Sequence, residues 1–342
     1  MKTISISIEN LCVPCHCGCR HCLLDSCHKA TGVDYARGQA FARRFYSWMR
    51  ENRPDLGGNF YVGYCNEFAE LGEHISFVRE FAPWFDFLQF NGLAFRNGEE
   101  IRALLGSVME RGVRLIDLTF FGLEEFHDRF AGRKGDFRYL LEIAGEAKAL
   151  GLPRIASVCL TEENKGQMDA LFGILREHGI ERYTVFLPHA KGRGEKLAYL
   201  RLTQESFDAL PQIVRNNFMR VPHKTEAQWL REGNFPRAER RALTLALTPE
   251  NIDRLEAMDP AQIIRELEEM DDAYYAAIPP VEELARICGR PENQQLFRFR
   301  DLALEWQKRY IRERKPDIYD MNDERHSFSV HLYPNERQEE SK

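Results

Sequence analysis

Residues 4–22 read ISISIENLCVPCHCGCRHC, an alternating segment that runs directly into a dense group of cysteines. Isoleucines at every second position, separated by polar residues, are typical of a strand that is buried on one face. Six of the chain's nine cysteines lie between Cys12 and Cys27. A long chain whose thiols are concentrated in one segment indicates metal or redox chemistry, because a disulfide framework would be spread along a short chain.

The composition is that of an ordinary globular protein. The chain has 342 residues, of which 44% are hydrophobic and 29% are charged, and its net charge is −6. This charge gives no global reason to expect binding to nucleic acid or to an anionic membrane. The N-terminus does not resemble a signal peptide, and no segment approaches the roughly 20 apolar residues of a membrane span. We therefore expect a cytoplasmic protein without a membrane partner.

From the N-terminus to about residue 190, short apolar strands alternate with segments of helical periodicity. Strands separated by helices of this length favour a parallel sheet with right-handed crossovers. Six such units are too few for a closed eight-stranded barrel, so the predicted fold is α/β, a partial (βα)6 barrel of the TIM type. Functional groups then belong at the carboxyl ends of the strands, where the cysteine group falls. The predicted strands are 4–8, 59–64, 87–90, 115–120, 155–160 and 183–187.

The pattern changes after residue 194. Apolar residues repeat at helical spacing over much of 200–320, and one alternating segment, 328–332, predicts an edge strand. We divide the chain into a partial-barrel core, 1–195, and a mainly α-helical C-terminal region, 196–334, that covers the site. The last residues, 335–342, have the composition of a disordered tail.

One triple of cysteines, Cys15, Cys19 and Cys22, has the spacing C-x3-C-x2-C. Three thiolates on a short loop can hold three irons of a cubane cluster and leave the fourth iron open to a small molecule. The same thiols with Cys12 form two C-x2-C pairs, which is the alternative of a zinc site. The pairs are only three residues apart, whereas zinc knuckles are usually separated by about 15 or more. A non-enzymatic zinc- or iron–sulfur-binding sensor remains the alternative class of protein.

The triple and several later segments resemble the radical S-adenosylmethionine (radical SAM) superfamily, over roughly residues 3–200. In detail they are most similar to members that mature peptides and cofactors. The later segments occur in the family's order, and they are Phe90-Asn91-Gly92, Leu118-Thr119-Phe120-Phe121-Gly122, His127-Asp128, Gly132-Arg133, Gly135-Asp136-Phe137, Asn164 and Gly192-Arg193-Gly194.

This resemblance implies an enzyme of oxidoreductase or transferase type with a 4Fe–4S cluster on Cys15, Cys19 and Cys22. Such an enzyme cleaves S-adenosylmethionine reductively to a 5′-deoxyadenosyl radical, which abstracts a hydrogen atom from the substrate. The implied partners are a small-molecule or peptide substrate and an electron donor such as flavodoxin or ferredoxin. A peptide is slightly preferred as the substrate, and a small carbohydrate or a nucleoside is the alternative. The residues implied in binding the cofactor are His21, Gly63, Asn66, Glu67, Asn91 and Thr119.

The sequence also departs from the family pattern. The family's Gly-Gly-Glu is replaced by Gly63-Tyr64-Cys65-Asn66-Glu67, so Asn66 or Glu67 takes the role of accepting from the methionine amino group. Phe121 stands where the family has an acidic residue. The cysteine-rich C-terminal extension of the peptide-modifying members is missing, which predicts a single cluster.

Two further thiols, Cys65 and Cys159, end predicted strands. Each is a candidate hydrogen-atom donor, and the alternative for each is a small buried hydrophobic residue. Cys12, Cys17 and Cys27 receive no role.

Overall fold

A computed structural model describes residues 1–26, 28–314 and 327–333 of the chain. Cys27 and the predicted disordered tail, 335–342, lie outside the described residues.

Ten strands are present in the described residues, and the first six match the predicted βα units. Their apolar residues alternate because one face of each strand packs beneath helices. The strands are β1 (Lys2–Asn10), β2 (Gly57–Val62), β3 (Phe87–Gln89), β4 (Leu115–Phe120), β5 (Arg154–Cys159), β6 (Arg182–Phe186), β7 (His223–Thr225), β8 (Arg240–Ala246), β9 (Leu296–Arg298) and β10 (Ser327–Leu332).

Thirteen α-helices occur in the same residues and connect or follow these strands. They are α1 (Tyr35–Asn52), α2 (Leu71–Phe81), α3 (Gly98–Glu110), α4 (Glu124–Ala131), α5 (Asp136–Ala149), α6 (Met168–Glu177), α7 (Gln204–Asp208), α8 (Gln212–Asn216), α9 (Glu226–Glu232), α10 (Ile252–Ala257), α11 (Pro260–Ala277), α12 (Val281–Cys288) and α13 (Phe299–Arg314).

Eight strands form two four-stranded sheets, ordered β10-β8-β1-β2 and β3-β4-β5-β6, and β7 and β9 form a separate antiparallel pair. Within the two larger sheets all neighbours are parallel except β10, which runs antiparallel to β8. The side chain of Asn66, just beyond β2, donates from Nδ2 to the Gln89 carbonyl of β3 across 2.7 Å. This bond joins the facing edges of the two sheets at the carboxyl ends of their strands. The predicted α/β class with an open, parallel array is confirmed, and no closed barrel is found in the described residues.

The C-terminal region contains three strands that the sequence does not predict, namely β7, β8 and β9. The region is mainly helical, but β8 pairs in parallel with β1, from Lys2↔Arg240 to Glu9↔Ala246. The region therefore contributes a strand to the first sheet. Nothing local in the sequence reveals β8, because its partner strand lies more than 200 residues away. The predicted edge strand at 328–332 is present as β10.

Two apolar cores lie between the sheets and their helices. Ile6 and Ile8 of β1 pack with α1, whereas Ile116, Leu118 and Phe120 of β4 belong to the core beneath α3 and α5. The polar residues of these strands occupy the opposite faces. None of the helices in the described part of the chain is both long and apolar enough to cross a membrane.

Candidate active site

The cysteine loop follows β1 directly and is tied by backbone hydrogen bonds to the elements around it. The His16 amide donates to the Gly92 carbonyl across 3.0 Å, just beyond β3. The amides of Gly18 and Arg20 donate to the last turn of α4, at 2.8 and 2.9 Å. The loop thus lies across the carboxyl ends of β1, β3 and β4, as the architecture predicts for a functional segment.

The three predicted ligand thiols lie in one connected group of side chains. The Cys22 Sγ is 3.2 Å from the Ser26 Oγ, and that hydroxyl also bonds to the Cys15 thiol. On the other side, the Cys17 thiol interacts with those of both Cys15 and Cys19. The structure therefore brings Cys15, Cys19 and Cys22 together at the strand ends.

The surroundings of Cys15 favour its thiolate form. The neighbouring thiols of Cys17 and Cys65 lower the pKa of Cys15 well below its usual range. The same neighbourhood raises the pKa of Cys17, so the Cys17 thiol keeps its proton. Burial raises the pKa of Cys22. Because thiolates are the metal-binding form, this environment suits Cys15 as a ligand.

The Cys17 thiol, which is not one of the three candidate ligands, contacts a buried carboxylate. Its thiol donates to Asp136 Oδ1 across 3.5 Å, and His127 Nε2 is 3.1 Å from Asp136 Oδ2. The Phe121 amide donates to His127 Nδ1, so the imidazole proton is on Nε2 and points at the carboxylate. Arg133 is a third donor to Asp136, at 3.4 Å. The Asp136 carboxylate therefore connects the cysteine loop, the end of β4 and the start of α5.

Two glycines leave room for the loop. A Cβ on Gly92 would be 2.4 Å from the Cys15 Sγ, and one on Gly63 would be 2.6 Å from the Val13 Cβ. Both residues also have positive φ, +77° and +72°, which disfavours a side chain. Gly63 therefore supports the cysteine loop by its small size.

Arg193, in the Gly-Arg-Gly segment, is bonded to the cysteine loop. Its Nε donates to the Cys19 carbonyl across 2.8 Å, and its Nη1 donates to the Ser26 carbonyl and the Asp25 carboxylate. Its Nη2 donates to the Ser26 hydroxyl, which itself contacts Cys22. One guanidinium thus fixes the segment that carries the second and third cysteines.

The His21 ring packs among three phenylalanines. Its centroid is 4.8 Å from that of Phe121 and 5.9 Å from those of Phe130 and Phe186. Burial lowers the pKa of His21 to about 3, so the ring is neutral at physiological pH. Its Nδ1 is buried without a hydrogen-bond partner in the described residues. The ring is thus packed against aromatic side chains, and a neutral ring next to the last ligand fits contact with a flat base.

Polar side chains at the ends of β2, β3 and β4 form one network. The Asn91 side chain donates to the Thr119 carbonyl and accepts from the Thr119 amide, at 3.1 and 2.8 Å. Gln89 Nε2 donates to the Thr119 hydroxyl across 2.9 Å. Asn91 thus continues the β3–β4 ladder beyond the strands. The Thr119 hydroxyl has its acceptor side occupied, and it retains a proton to donate.

Of the two residues proposed to accept from the methionine amino group, Glu67 already has partners. Its carboxylate accepts from both Nη atoms of Arg96 and from the Ala94 amide. Burial opposes its ionisation, but these donors prevail and lower the pKa of Glu67. Asn66 uses only its Nδ2 in the bond to Gln89 and keeps its side-chain oxygen as an acceptor. The structure favours Asn66 for this role, which stays a prediction.

The two candidate hydrogen-atom donors have different environments. The Cys65 thiol bonds to Cys15 and lies 3.2 Å from the Pro14 carbonyl, inside the site. Cys159 is fully buried in an apolar cluster with Phe121, Phe126 and Phe130. Burial raises its pKa. Cys159 fits the alternative of a small buried hydrophobic residue.

The thiol set fits an iron–sulfur cluster. Within residues 1–26, 28–314 and 327–333, no three His, Cys, Asp or Glu side chains converge as ligands of one metal ion. A cubane does not require such convergence, because each cysteine ligates a different iron. Three loop thiols at the strand ends, one of them favouring the thiolate, match that donor chemistry.

Several residues of the site had no role in the sequence analysis. His127, Asp136 and Arg193 were visible only as pieces of matching segments. The sequence also gives a weaker indication that Asp117 belongs to the site, because it is an acidic residue within the otherwise largely apolar strand LIDLTF.

None of the protein-family models and none of the curated proteins matches the chain. Among solved structures, the match to SuiB of Streptococcus suis has 12% identity and a TM-score of 0.40, and covers 55% of this chain. It spans only 40% of the SuiB chain. The anSMEcpe structure with bound AdoMet matches at 14% identity and a TM-score of 0.41, over 62% of this chain and 60% of that one.

A third structure is similar over most of its length. It is coproporphyrinogen III oxidase (HemN) from Escherichia coli, described as a radical SAM enzyme, with 13% identity and a TM-score of 0.42. The match covers 90% of this chain and 91% of HemN.

Proposed function

We propose that this chain is a radical SAM enzyme whose 4Fe–4S cluster is held by Cys15, Cys19 and Cys22. The observation that supports this most directly is the gathering of these thiols, on a loop fixed by Arg193, over the carboxyl ends of parallel strands. When bound, the cluster would supply the electron that cleaves S-adenosylmethionine to methionine and a 5′-deoxyadenosyl radical.

The chain's own residues would orient the cofactor and exclude water from it. Asn66 offers an acceptor for an amino group, and the Thr119 hydroxyl offers a donor at the end of β4. The neutral ring of His21 offers an apolar surface for the adenine. The buried Phe121 and Phe130 behind that ring exclude water from this side.

The substrate is a small molecule or a peptide, with a peptide preferred because the motif details resemble peptide- and cofactor-maturing enzymes. An electron donor such as flavodoxin or ferredoxin would reduce the cluster. The 196–334 region would cover the site on the substrate's side through its helices, α7 to α13.

Anaerobic reconstitution with iron and sulfide tests this proposal. We expect a brown protein that releases 5′-deoxyadenosine from S-adenosylmethionine when dithionite is added. Cys19→Ala should abolish the release, and Cys288→Ala, which changes a thiol far along the chain in α12, should not. A brown protein that binds iron yet releases no 5′-deoxyadenosine would instead favour the non-enzymatic sensor.

A further inference from the structure

The inner face of β4 carries a buried acid that the cofactor site does not use. Ile116, Leu118 and Phe120 point into the core beneath the helices. Asp117 and Thr119 therefore lie on the opposite face, the one that leads to the site at the strand end. Ser157 of β5 shares this face, since its hydroxyl donates to Asp117 Oδ2 across 2.8 Å.

Asp117 has an unsatisfied oxygen. The residue is 8% exposed, and its Oδ1 has no hydrogen-bond partner among the described residues. Burial raises the pKa of Asp117 to about 6, and hydrogen bonds from Ser157 and the backbone only partly oppose this shift. No arginine, lysine or histidine pairs with it in the described part of the chain. A buried carboxylate with one side-chain donor is costly unless another donor completes it.

Neighbouring side chains do not supply that donor. The register places Gln89 directly beside Asp117, but the Gln89 amide donates to Thr119 instead. Phe87 is two residues before Gln89 on the same face, in the diagonal position to Asp117, and it is 42% exposed. An exposed aromatic ring in the diagonal register position to a carboxylate with one unused oxygen gives two groups that each attract an organic cation.

We propose that Asp117, with Phe87 as its diagonal neighbour in the strand register, binds an organic ammonium group of the substrate. This deepens the proposed function and, as a statement about the substrate, rests on it. Asp117 precedes Thr119 by two residues, so the two positions are about 7 Å apart along the strand. If the substrate's ammonium group binds at Asp117, the substrate carbons a few bonds from that group would lie next to the strand-end site. The class includes amines and peptides with an amino side chain.

Binding to the reconstituted full-length protein tests the proposal, with S-adenosylmethionine present at saturation. The probes are benzylammonium and its neutral counterpart benzyl alcohol, titrated by calorimetry. We expect benzylammonium to bind at least about tenfold more tightly than the alcohol. Asp117→Asn should remove this preference, whereas Asp169→Asn, an exposed carboxylate on α6, should leave it intact.

Equal affinity of the wild-type protein for the two probes would overturn the proposal, and this comparison needs no variant. A benzylammonium affinity unchanged by Asp117→Asn would also overturn it. A tenfold loss of S-adenosylmethionine affinity in Asp117→Asn would assign the carboxylate to the cofactor and refute the substrate role. Failure to release 5′-deoxyadenosine is a separate result that counts against the proposed enzyme, not against ammonium binding.

Discussion

The Cys17 thiol donates to the Asp136 carboxylate across 3.5 Å, and this bond connects the cysteine loop to the start of α5. The same carboxylate is hydrogen-bonded to the His127 imidazole, so the cysteine loop and α4 both fix the position of the Asp136 side chain. Cys17 therefore has a partner of its own among the protein's side chains. The Cys17 thiol also interacts with those of Cys15 and Cys19, so its exclusion from the ligand set rests on the C-x3-C-x2-C spacing.

Replacing these cysteines one at a time should give two classes of variant. Cys15→Ala, Cys19→Ala and Cys22→Ala should lose the cluster, because a cubane left with two protein thiolates has lost a ligand. Cys17→Ala should retain about four irons per chain, the content of one 4Fe–4S centre. Iron and sulfide analysis after anaerobic reconstitution measures both classes. Loss of iron from Cys17→Ala together with retention in Cys19→Ala would show that the ligand assignment is wrong.

A methyl group at Gly92 should disturb the first ligand. The added Cβ would lie 2.4 Å from the Cys15 Sγ, and the backbone φ of +77° disfavours any side chain. We expect Gly92→Ala to bind less than about half of the wild-type iron. Gly106→Ala is the control, because nothing lies within 4 Å of its Cβ. In helix α3 that alanine should stabilise the fold by about 0.5–1 kcal/mol. Normal iron content in Gly92→Ala would mean that the loop adjusts freely.

His21 should act as a neutral aromatic surface. Its pKa of about 3 follows from burial among phenylalanines, so NMR should show no titration of this ring between about pH 5 and 8. His21→Phe should preserve the affinity for S-adenosylmethionine, whereas His21→Ala should weaken it about fivefold, the effect of losing about 1 kcal/mol. His178→Ala, at the end of α6, is the control. A ring that titrates near pH 6.5, the ordinary histidine value, would contradict this environment.

Asp117 should make stability depend on pH. Its folded pKa of about 6 lies above the ordinary 3.8, so the unfolded chain releases this proton first as pH rises. The stabilisation from the protonated acid is complete below about pH 4 and is lost as pH rises through about 6, a change of about 2–3 kcal/mol.

Urea unfolding of wild-type protein and Asp117→Asn at about pH 4 and pH 7 measures this term. The variant should gain about 2–3 kcal/mol relative to wild type between the two values. Asp169→Asn should show no comparable gain. Parallel pH profiles for wild type and Asp117→Asn would place the pKa of Asp117 near its ordinary value.

Local sequence patterns predict much of the secondary structure. The alternation of apolar residues located six strands within a residue or two, since one buried face imposes a period of two whatever the rest of the fold does. It could not locate β8 as part of the sheet, because a strand's partner is set by long-range packing. The same limit applied to Glu67, whose pairing with Arg96 depends on where the segments after β2 and β3 meet.

The sequence by itself predicts the type of chemistry: three thiols at fixed short spacing, placed after a first strand, indicate a cluster with an open iron. It also determined the α/β class, because helix and strand periods are local properties. Only the tertiary structure decided which other side chains face those thiols. Asp136, His127 and Arg193 reach the cysteine loop from distant positions in the chain, and Asp117 becomes a buried, incompletely bonded acid only when β3 and β5 pair on either side of it. Hydrogen bonding and desolvation act between atoms that folding brings together, so sequence separation does not reveal them.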